Sequence, residues 1–194
     1  SASDAAVFSH VPEVSGLISI DTLLAAVGDI ELQAKNNITF NDALDAGTKS
    51  ITARAGGSID VNAPLTTQGR AILLHANDPS AGSLNTNGTV NINSKLSSGN
   101  GTITLEGASI NIGDVDGGAI DSNGGFINLT ADAISIGGAV TAGAGDVTVT
   151  ANQIQIDGIV NASDVLLSST GDIRIGDAFS ETIANTVGST AGVV

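Results

Sequence analysis

Few side chains in this sequence could take part in catalysis. The chain of 194 residues contains two histidines, His10 and His75, and no cysteine. Nucleophilic catalysis requires a base beside a nucleophile, and histidine is its commonest base. His75 follows an apolar residue, Leu74, at the end of a predicted strand, where a histidine at a corner of the fold is the simpler interpretation. We therefore expect no nucleophile–histidine pair.

The basic residues also argue against an enzyme. A β-helical enzyme that cleaves polysaccharides would need acidic residues and Lys or Arg together on one outer face. We expect the basic side chains to lie on distant parts of the fold, because they are widely separated in the sequence: Lys35, Lys49, Arg54, Arg70, Lys95 and Arg174. The sequence therefore predicts a protein without enzymatic activity.

One short acidic segment has the spacing of a calcium loop. Asp114 and Asp116 stand in the text DVDGG, and Asp121 follows shortly after. Calcium takes six to eight oxygen ligands, commonly from closely spaced carboxylates and carbonyls in a glycine-rich loop. The downstream Glu of an EF-hand is missing, so a solvated acidic turn is the alternative. We expect no cofactor other than calcium at these three residues.

The charge limits the partners. Twenty acidic residues against six basic ones give a formal net charge of −14. Binding to nucleic acid or to an anionic membrane requires clustered Lys and Arg, so neither is expected. No apolar run reaches the length of about 18 residues that crosses a membrane. The negative charge would keep an apolar chain in solution and could attract cations.

The elements that carry these residues repeat along the chain. A repeat begins with two apolar residues separated by one other residue, here called the A pair, and a second such pair, the B pair, follows seven or eight residues later in nearly every copy. The A pairs are Ile30/Leu32, Ile51/Ala53, Ile72/Leu74, Ile103/Leu105, Ile127/Leu129, Val147/Val149 and Val165/Leu167. The B pairs are Ile18/Ile20, Ile38/Phe40, Ile59/Val61, Val90/Ile92, Ile110/Ile112, Ile134/Ile136, Ile154/Ile156 and Ile173/Ile175.

A single apolar residue, the C position, completes each copy. Three short strands in a repeat of about twenty residues predict a three-sided coil, and such coils must stack because one alone cannot bury its apolar face. The fold expected is therefore an all-β, three-sided β-solenoid of about eight coils. The C positions are Leu24, Leu44, Leu65, Leu96, Val140, Val160 and Phe179, with Ile120 as a delayed copy.

Two interruptions of the repeat divide the chain into regions. The solenoid is predicted over residues 16–179, with corner insertions near 76–88 and 113–125. Residues 1–15 would form an N-terminal cap or a segment that links subunits, and 180–194 a C-terminal cap or tail. Solenoids usually carry function at such insertions.

Glycines and outward side chains complete the pattern. Glycine tolerates positive φ, so we expect it at the corner between the C position and the next A pair. The corner glycines are Gly28, Gly47, Gly69, Gly101, Gly125 and Gly145. The outward residues of the B strands predict a structural ladder of side-chain amides: Thr39, Asp60, Asn91, Asn111, Ser135, Gln155 and Arg174. The outward residues of the A strands are too mixed for an ice-binding array.

The repeats resemble those of a known family. The segments GDIELQA, GSIDVNAPLTTQGRAILLHA and GFINLTADAISIGGAVTAGAGDVTVTANQIQIDGIVNASDVLLSSTGDIRIG are similar to repeats of filamentous-haemagglutinin-type bacterial exoproteins. This resemblance covers roughly residues 16–176. It implies a right-handed parallel β-helix, exposure at the bacterial surface, and adhesive or filamentous roles. The NPNG and NPNL motifs of the family's secretion domain do not occur here.

The two ends of the chain suggest self-association. A stack of coils exposes strand edges at its top and bottom, and the apolar residues near the termini could bridge subunits. The first residues, SASDAA, are compatible with a processed, secreted protein. We expect an extracellular or surface-located structural protein that stacks end to end into filaments; the alternative is a fragment of a large adhesin that binds glycans or host surfaces. The predicted subunit contacts are Val7, Phe8, Val11, Val14, Ile183, Val187, Val193 and Val194.

Overall fold

The fold is a parallel β-solenoid. The computed structural model describes residues 19–25, 27–82, 87–114, 119–176 and 187–189. Three parallel sheets stack along about 7 turns of roughly 21 residues each. This confirms the predicted three-sided architecture, with one turn fewer than the eight expected.

Each of the first six turns contributes one strand to each sheet, the seventh contributes to sheets A and B, and β21 adds one more strand to sheet A. The strands are β1 (Ile30–Ala34), β2 (Ile38–Phe40), β3 (Leu44–Asp45), β4 (Ile51–Ala55), β5 (Ile59–Val61), β6 (Leu65–Thr66), β7 (Ile72–His75), β8 (Thr89–Ile92), β9 (Leu96–Ser97), β10 (Ile103–Glu106), β11 (Ser109–Ile112), β12 (Ile120–Asp121), β13 (Ile127–Thr130), β14 (Ala133–Ile136), β15 (Val140–Thr141), β16 (Val147–Ala151), β17 (Gln153–Ile156), β18 (Val160–Asn161), β19 (Val165–Ser169), β20 (Ile173–Ile175) and β21 (Val187–Ser189). Sheet A runs β1-β4-β7-β10-β13-β16-β19-β21, sheet B runs β2-β5-β8-β11-β14-β17-β20, and sheet C runs β3-β6-β9-β12-β15-β18.

The register places like residues above one another. Ile103 of β10 pairs with Ile72 in the preceding turn and with Ile127 in the following one. Alternate residues of each strand point inward, and the inward positions are almost all Ile, Leu, Val or Ala with an exposed fraction below 9%. Burying each Val, Leu or Ile contributes about 1.5–3 kcal/mol before the entropic cost of ordering it. The predicted inward assignment of the A and B pairs is confirmed along this core.

Both interruptions of the repeat lie outside the ladder of strands. A short 3₁₀-helix, Pro79–Ala81, lies in the connection between β7 and β8. In the second case Ile120 pairs with Leu96 below and Val140 above, so it takes the C position after a longer connection. The predicted delay of this C residue is confirmed.

The N-terminal end contradicts the predicted repeat. The spacing placed a B pair at Ile18 and Ile20 and a C position at Leu24. Ile18 lies outside the described residues, while Ile20–Leu24 forms helix α1. The predicted strand at Ile20 and the C position at Leu24 are therefore wrong.

A local capping interaction explains this helix. The hydroxyl of Ser19 accepts a hydrogen bond from the backbone N–H of Thr22 at 3.2 Å, which satisfies one of the free donors of the first helical turn. Leu23, which is 4% exposed, packs into the core. The Lys49 ammonium donates to the carbonyl of Leu24 at 2.6 Å and fastens the end of the helix. A helix therefore stands where the pattern predicted another turn.

At the opposite end, the chain supplies an additional strand. β21 pairs in parallel with β19, with Val187 opposite Leu167. Sheets B and C are not extended in this way and end, within the described residues, at β20 and β18. The predicted C position at Phe179 lies outside the described residues.

The corner glycines serve two different needs. Gly47 and Gly69 have φ of 57° and 82°, as predicted. Gly125 and Gly145 do not have positive φ; a Cβ at Gly145 would instead overlap the carbonyl oxygen of Gly125 in the turn below. The expectation of positive φ at Gly101, Gly125 and Gly145 is therefore wrong, because close approach between consecutive turns is what excludes a side chain there.

Replacing Ile134 by Asp should abolish folding. Ile134 points inward from β14 and is 2% exposed, so the carboxylate would be buried without a partner. The control is Ser135→Asp, whose side chain is on the solvent side of the same strand. Circular dichroism melting should show loss of the cooperative transition for the first variant alone. A soluble Ile134→Asp protein with an unchanged Tm would contradict the register.

Replacing Gly145 by Ala should destabilise the stack strongly. The methyl group would force apart the backbones of two turns, at an expected cost of about 3 kcal/mol or more. Gly47→Ala is the matched control, because its Cβ would meet open space and only the left-handed backbone would be strained, by about 1–2 kcal/mol. Chemical denaturation measures both. Equal losses for the two variants would refute the role assigned to Gly145.

Candidate functional site

Four outward side chains form a column near the carboxyl ends of the first four strands of sheet A. Gln33, Arg54, His75 and Glu106 occupy the same position in four consecutive turns. Arg54 pairs with Gln33 on one side and with His75 on the other, and His75 pairs with Glu106. Parallel strands in one sheet are about 4.8 Å apart, so these side chains lie one above another.

The segment after β7 turns back along this column. The N–H of Asn77 donates to the carbonyl of Gly57 at 3.0 Å, and the N–H of Asp78 donates to that of Ala55 at 2.9 Å. Further on, the Gln33 amide donates to the carbonyl of Ser80 at 2.9 Å. The segment therefore crosses from the third turn to the first.

Asp78 lies at the centre of the resulting cluster. It is 2% exposed, and its carboxylate receives the Arg54 guanidinium at 3.1 Å and the backbone N–H of Ser80 at 2.7 Å. The Nδ1 atom of His75 is 3.3 Å from the same oxygen that faces Arg54 and 3.2 Å from Oε2 of Glu106. We call Arg54, His75, Asp78 and Glu106 the Asp78 cluster.

The surroundings of Asp78 hold its pKa below the ordinary value. Burial opposes ionisation, but the hydrogen bonds from Ser80, the hydrogen bond from Arg54 and the positive charge that His75 can carry together outweigh it. A carboxylate with a lowered pKa stabilises the fold above its unfolded-state pKa, and this stabilisation is lost as pH falls through the folded-state value. The Asp78 contacts are therefore fully formed at neutral pH.

A concave surface of about 320 Å³ lies beside the cluster, and its lining includes His75, Glu106, Thr130 and Asp132. Within the described residues, no hydroxyl is hydrogen-bonded to His75, so the nucleophile–base pair of covalent catalysis is not formed there. The cluster is best understood as a network of ion pairs that holds the segment after β7.

Sequence reasoning missed this cluster. The basic residues were predicted to be spread over distant coils, and nothing in that prediction paired Arg54 with Asp78, whose Oδ2 lies 3.1 Å from the guanidinium. Part of the arrangement was readable: Arg54, His75 and Glu106 each follow the second residue of an A pair, so the repeat stacks them. The position of Asp78 was not readable, because it lies in an insertion that no repeat aligns.

The predicted calcium ligands are only partly described. Asp116 lies outside the described residues. Asp121 is engaged by protein groups: its Oδ1 accepts from the N–H of Asn123 at 2.9 Å, and its Oδ2 is 3.9 Å from the Lys95 ammonium. No group of three His, Cys, Asp or Glu side chains that could hold a metal occurs in the part of the chain that the structure describes. Calcium binding by Asp114, Asp116 and Asp121 stays a prediction.

Most of the predicted subunit contacts also fall outside the described residues. Val187 is the exception, because its backbone is described: it begins β21 and pairs with Leu167 of the same chain. This part of the C-terminal segment therefore pairs with β19 of its own chain, and the subunit contacts at the termini stay a prediction. The residues outside the described ranges are Val7, Phe8, Val11, Val14, Ile183, Val193 and Val194.

The outer face of sheet B carries the predicted amide ladder over part of its length. The Asn91 amide donates to Asp60 at 2.7 Å, and the Asn111 amide donates to Asn91 at 3.0 Å. Beyond Asn111 the side chains border a groove of about 230 Å³ whose lining includes Ser135, Gln155 and Arg174. The groove is polar and spans four turns.

Comparisons with protein-family models, with curated proteins and with solved structures find no match. The fold defines the class of the protein as a parallel β-solenoid repeat protein. The resemblance to filamentous-haemagglutinin-type exoproteins rests on the repeat segments alone. No helix among the described residues is long and apolar enough to cross a membrane.

If the acidic loop binds calcium, a chelator should lower the Tm and added calcium should restore it, because a ligand that binds only the folded state stabilises it. Asp114→Asn should remove this response, while Asp146→Asn, on a different corner, should retain it. A Tm that does not respond to chelator or calcium would leave a solvated acidic turn as the correct interpretation.

Proposed function

We propose that this protein is a secreted, non-enzymatic structural β-solenoid that stacks end to end into extracellular filaments or surface fibres. The partner in this proposal is a second copy of the same chain. Its support comes from the exposed apolar side chains and strand edges at the two ends of the rod.

Exposed apolar side chains at both ends of the rod carry the proposal. Six large apolar side chains are exposed in the described part of the chain. Three lie at its ends: Leu24 and Val27 before the first turn, and Ile175 in the last strand of sheet B. The other three, Phe126, Ile159 and Leu166, lie on the side of the solenoid. Exposed apolar side chains at an end surface are typical of contact surfaces.

Sheets B and C also leave edges at the C-terminal end. Among the described strands, β18 and β20 have a neighbour on one side only. Ile175, at an inward position of β20, is 41% exposed, whereas Ile156 below it is fully buried. A further strand at this edge would pair with main-chain groups that no described strand uses and would bury Ile175.

The opposite end offers a complementary surface of another kind. Helix α1 occupies the place of a further turn, so a second copy would meet the helix and the residues that follow it. Leu24 is 40% exposed and Val27 is 91% exposed. Contact between unlike ends propagates as a straight stack and does not close.

Charge opposes this association at low ionic strength. The net charge is −14 per chain, and carboxylates occur at both ends, with Asp29 and Glu31 in the first turn and Asp164 and Asp172 in the last. Screening by salt should therefore promote stacking, since the Debye length falls to about 8 Å at physiological ionic strength.

Sedimentation velocity at increasing protein and salt concentration tests the proposal. The protein should form species larger than a monomer, and electron micrographs should show rods longer than one solenoid. Ile175→Lys should reduce association at least tenfold, because it places a charge in the end contact. Phe126→Lys is the matched control, since it also removes an exposed apolar side chain, but one on the side of the fifth turn, where β13 has neighbouring strands on both sides. A monomer under all conditions, or an equal effect of both variants, would refute end-to-end stacking.

The groove on sheet B supports a second candidate, a fragment of a large adhesin that binds glycans or host surfaces. Its amide and hydroxyl groups could hydrogen-bond to sugar hydroxyls, although aromatic stacking surfaces are absent from its lining. Binding of neutral oligosaccharides that Ser135→Phe abolishes would favour this candidate over the filament.

A further inference from the structure

The segment of residues 77–82, here called the strap, is attached to the solenoid in an unusual way. Asp78 is its only buried side chain, while Pro79, Ser80 and Gly82 are exposed. The 3₁₀-helix within it contributes no buried residue. The solenoid beneath is held by an aliphatic core, whereas the strap is held by polar contacts.

These polar contacts converge on one carboxylate. Three backbone or side-chain hydrogen bonds join the strap to Ala55, Gly57 and Gln33. The carboxylate of Asp78 adds the contacts with Arg54 and His75, and its second oxygen accepts from Ser80 and shapes the strap itself. Loss of the negative charge would therefore weaken both the strap's attachment and its internal turn.

We propose that residues 77–82 are an acid-released strap: the ionised Asp78 fastens the segment across the first three turns, and protonation of this carboxylate frees it while the solenoid stays folded.

The charges around Asp78 determine the direction of the switch. Arg54 approaches from β4, His75 from the end of β7, and Glu106 from β10 on the far side of His75, while Asp132 lines the neighbouring concave surface. When Asp78 is protonated, Arg54 faces a neutral carboxyl group and loses the anionic partner of its ion pair.

The pH range follows from the same contacts. Because the pKa of Asp78 is lowered, the fastening persists through mildly acidic conditions and is lost below about pH 4, the ordinary range of an aspartate. The aliphatic core that joins the turns has no titratable side chain, so the sheets should stay folded at this pH. Asp29, whose pKa is also lowered because it accepts a hydrogen bond from the Ser50 N–H, would lose only that contact in the first turn.

A single fluorescent label on the full chain can follow the strap. The chain has no cysteine, so Ala81→Cys provides a unique attachment point on a partly exposed residue of the strap whose side chain is not a hydrogen-bond partner of Asp78. Fluorescence anisotropy should fall below about pH 4 as the strap is released, while the far-UV circular dichroism of the sheets stays constant. A label at Ala144→Cys, on an exposed corner far from the strap, should show no such transition.

Two variants separate the proposal from general acid sensitivity. Asp78→Asn should give the low, released anisotropy already at neutral pH and no acid transition, whereas Asp132→Asn should behave as the parent protein. If Asp78→Asn fails to fold, Arg54→Gln replaces it and should shift the release to higher pH. Retained anisotropy in Asp78→Asn at neutral pH, an unshifted midpoint in Arg54→Gln, or simultaneous loss of strap and sheets would overturn the proposal.

Discussion

The parallel hydrogen bonding between consecutive turns is the constraint on which this structure depends. The N–H of Ile30 donates to the carbonyl of Ser50 at 2.9 Å, and the same contact recurs from Ile51 to Ala71 at 3.0 Å. A ladder of this kind fixes the spacing of the turns at about 4.8 Å. At that spacing every residue lies directly above its equivalent, so a short apolar repeat becomes a continuous core.

The same spacing explains the corners and the Asp78 cluster. Two corners approach so closely that Gly145 cannot carry a side chain, and buried hydroxyls such as that of Ser122 close the turn onto the carbonyl of Gly125. Residues inserted into a repeat cannot be accommodated at this spacing, so they lie outside the ladder of strands. The segment after β7 is such a case, and outside the ladder it brings Asp78 against Arg54 and His75.

The repeat made the fold predictable and also misled at one end. The A and B pairs indicate which residues face inward, because side chains alternate between the two faces of a strand and the apolar face must be buried by stacked turns. Ile18 and Ile20 share that spacing, yet Ser19 caps a helix that begins at Ile20, and this local interaction prevails at the first turn that the structure describes. Part of the Asp78 cluster could be predicted, because Arg54 and His75 are one repeat apart and therefore stack. The position of Asp78 could not, because it lies in an insertion that has no equivalent in the other repeats.

Engineered disulfides test the stacking register most directly, because the chain contains no cysteine of its own. Thr104 and Asn128 pair across β10 and β13, so their Cα atoms should be about 4.8 Å apart, within the range that a disulfide bridges. Thr104→Cys with Asn128→Cys should oxidise readily in the folded protein. Thr104→Cys with Thr148→Cys, two turns apart, should remain reduced within the monomer. Efficient bridging of the second pair, or failure of the first in a folded protein, would contradict the account.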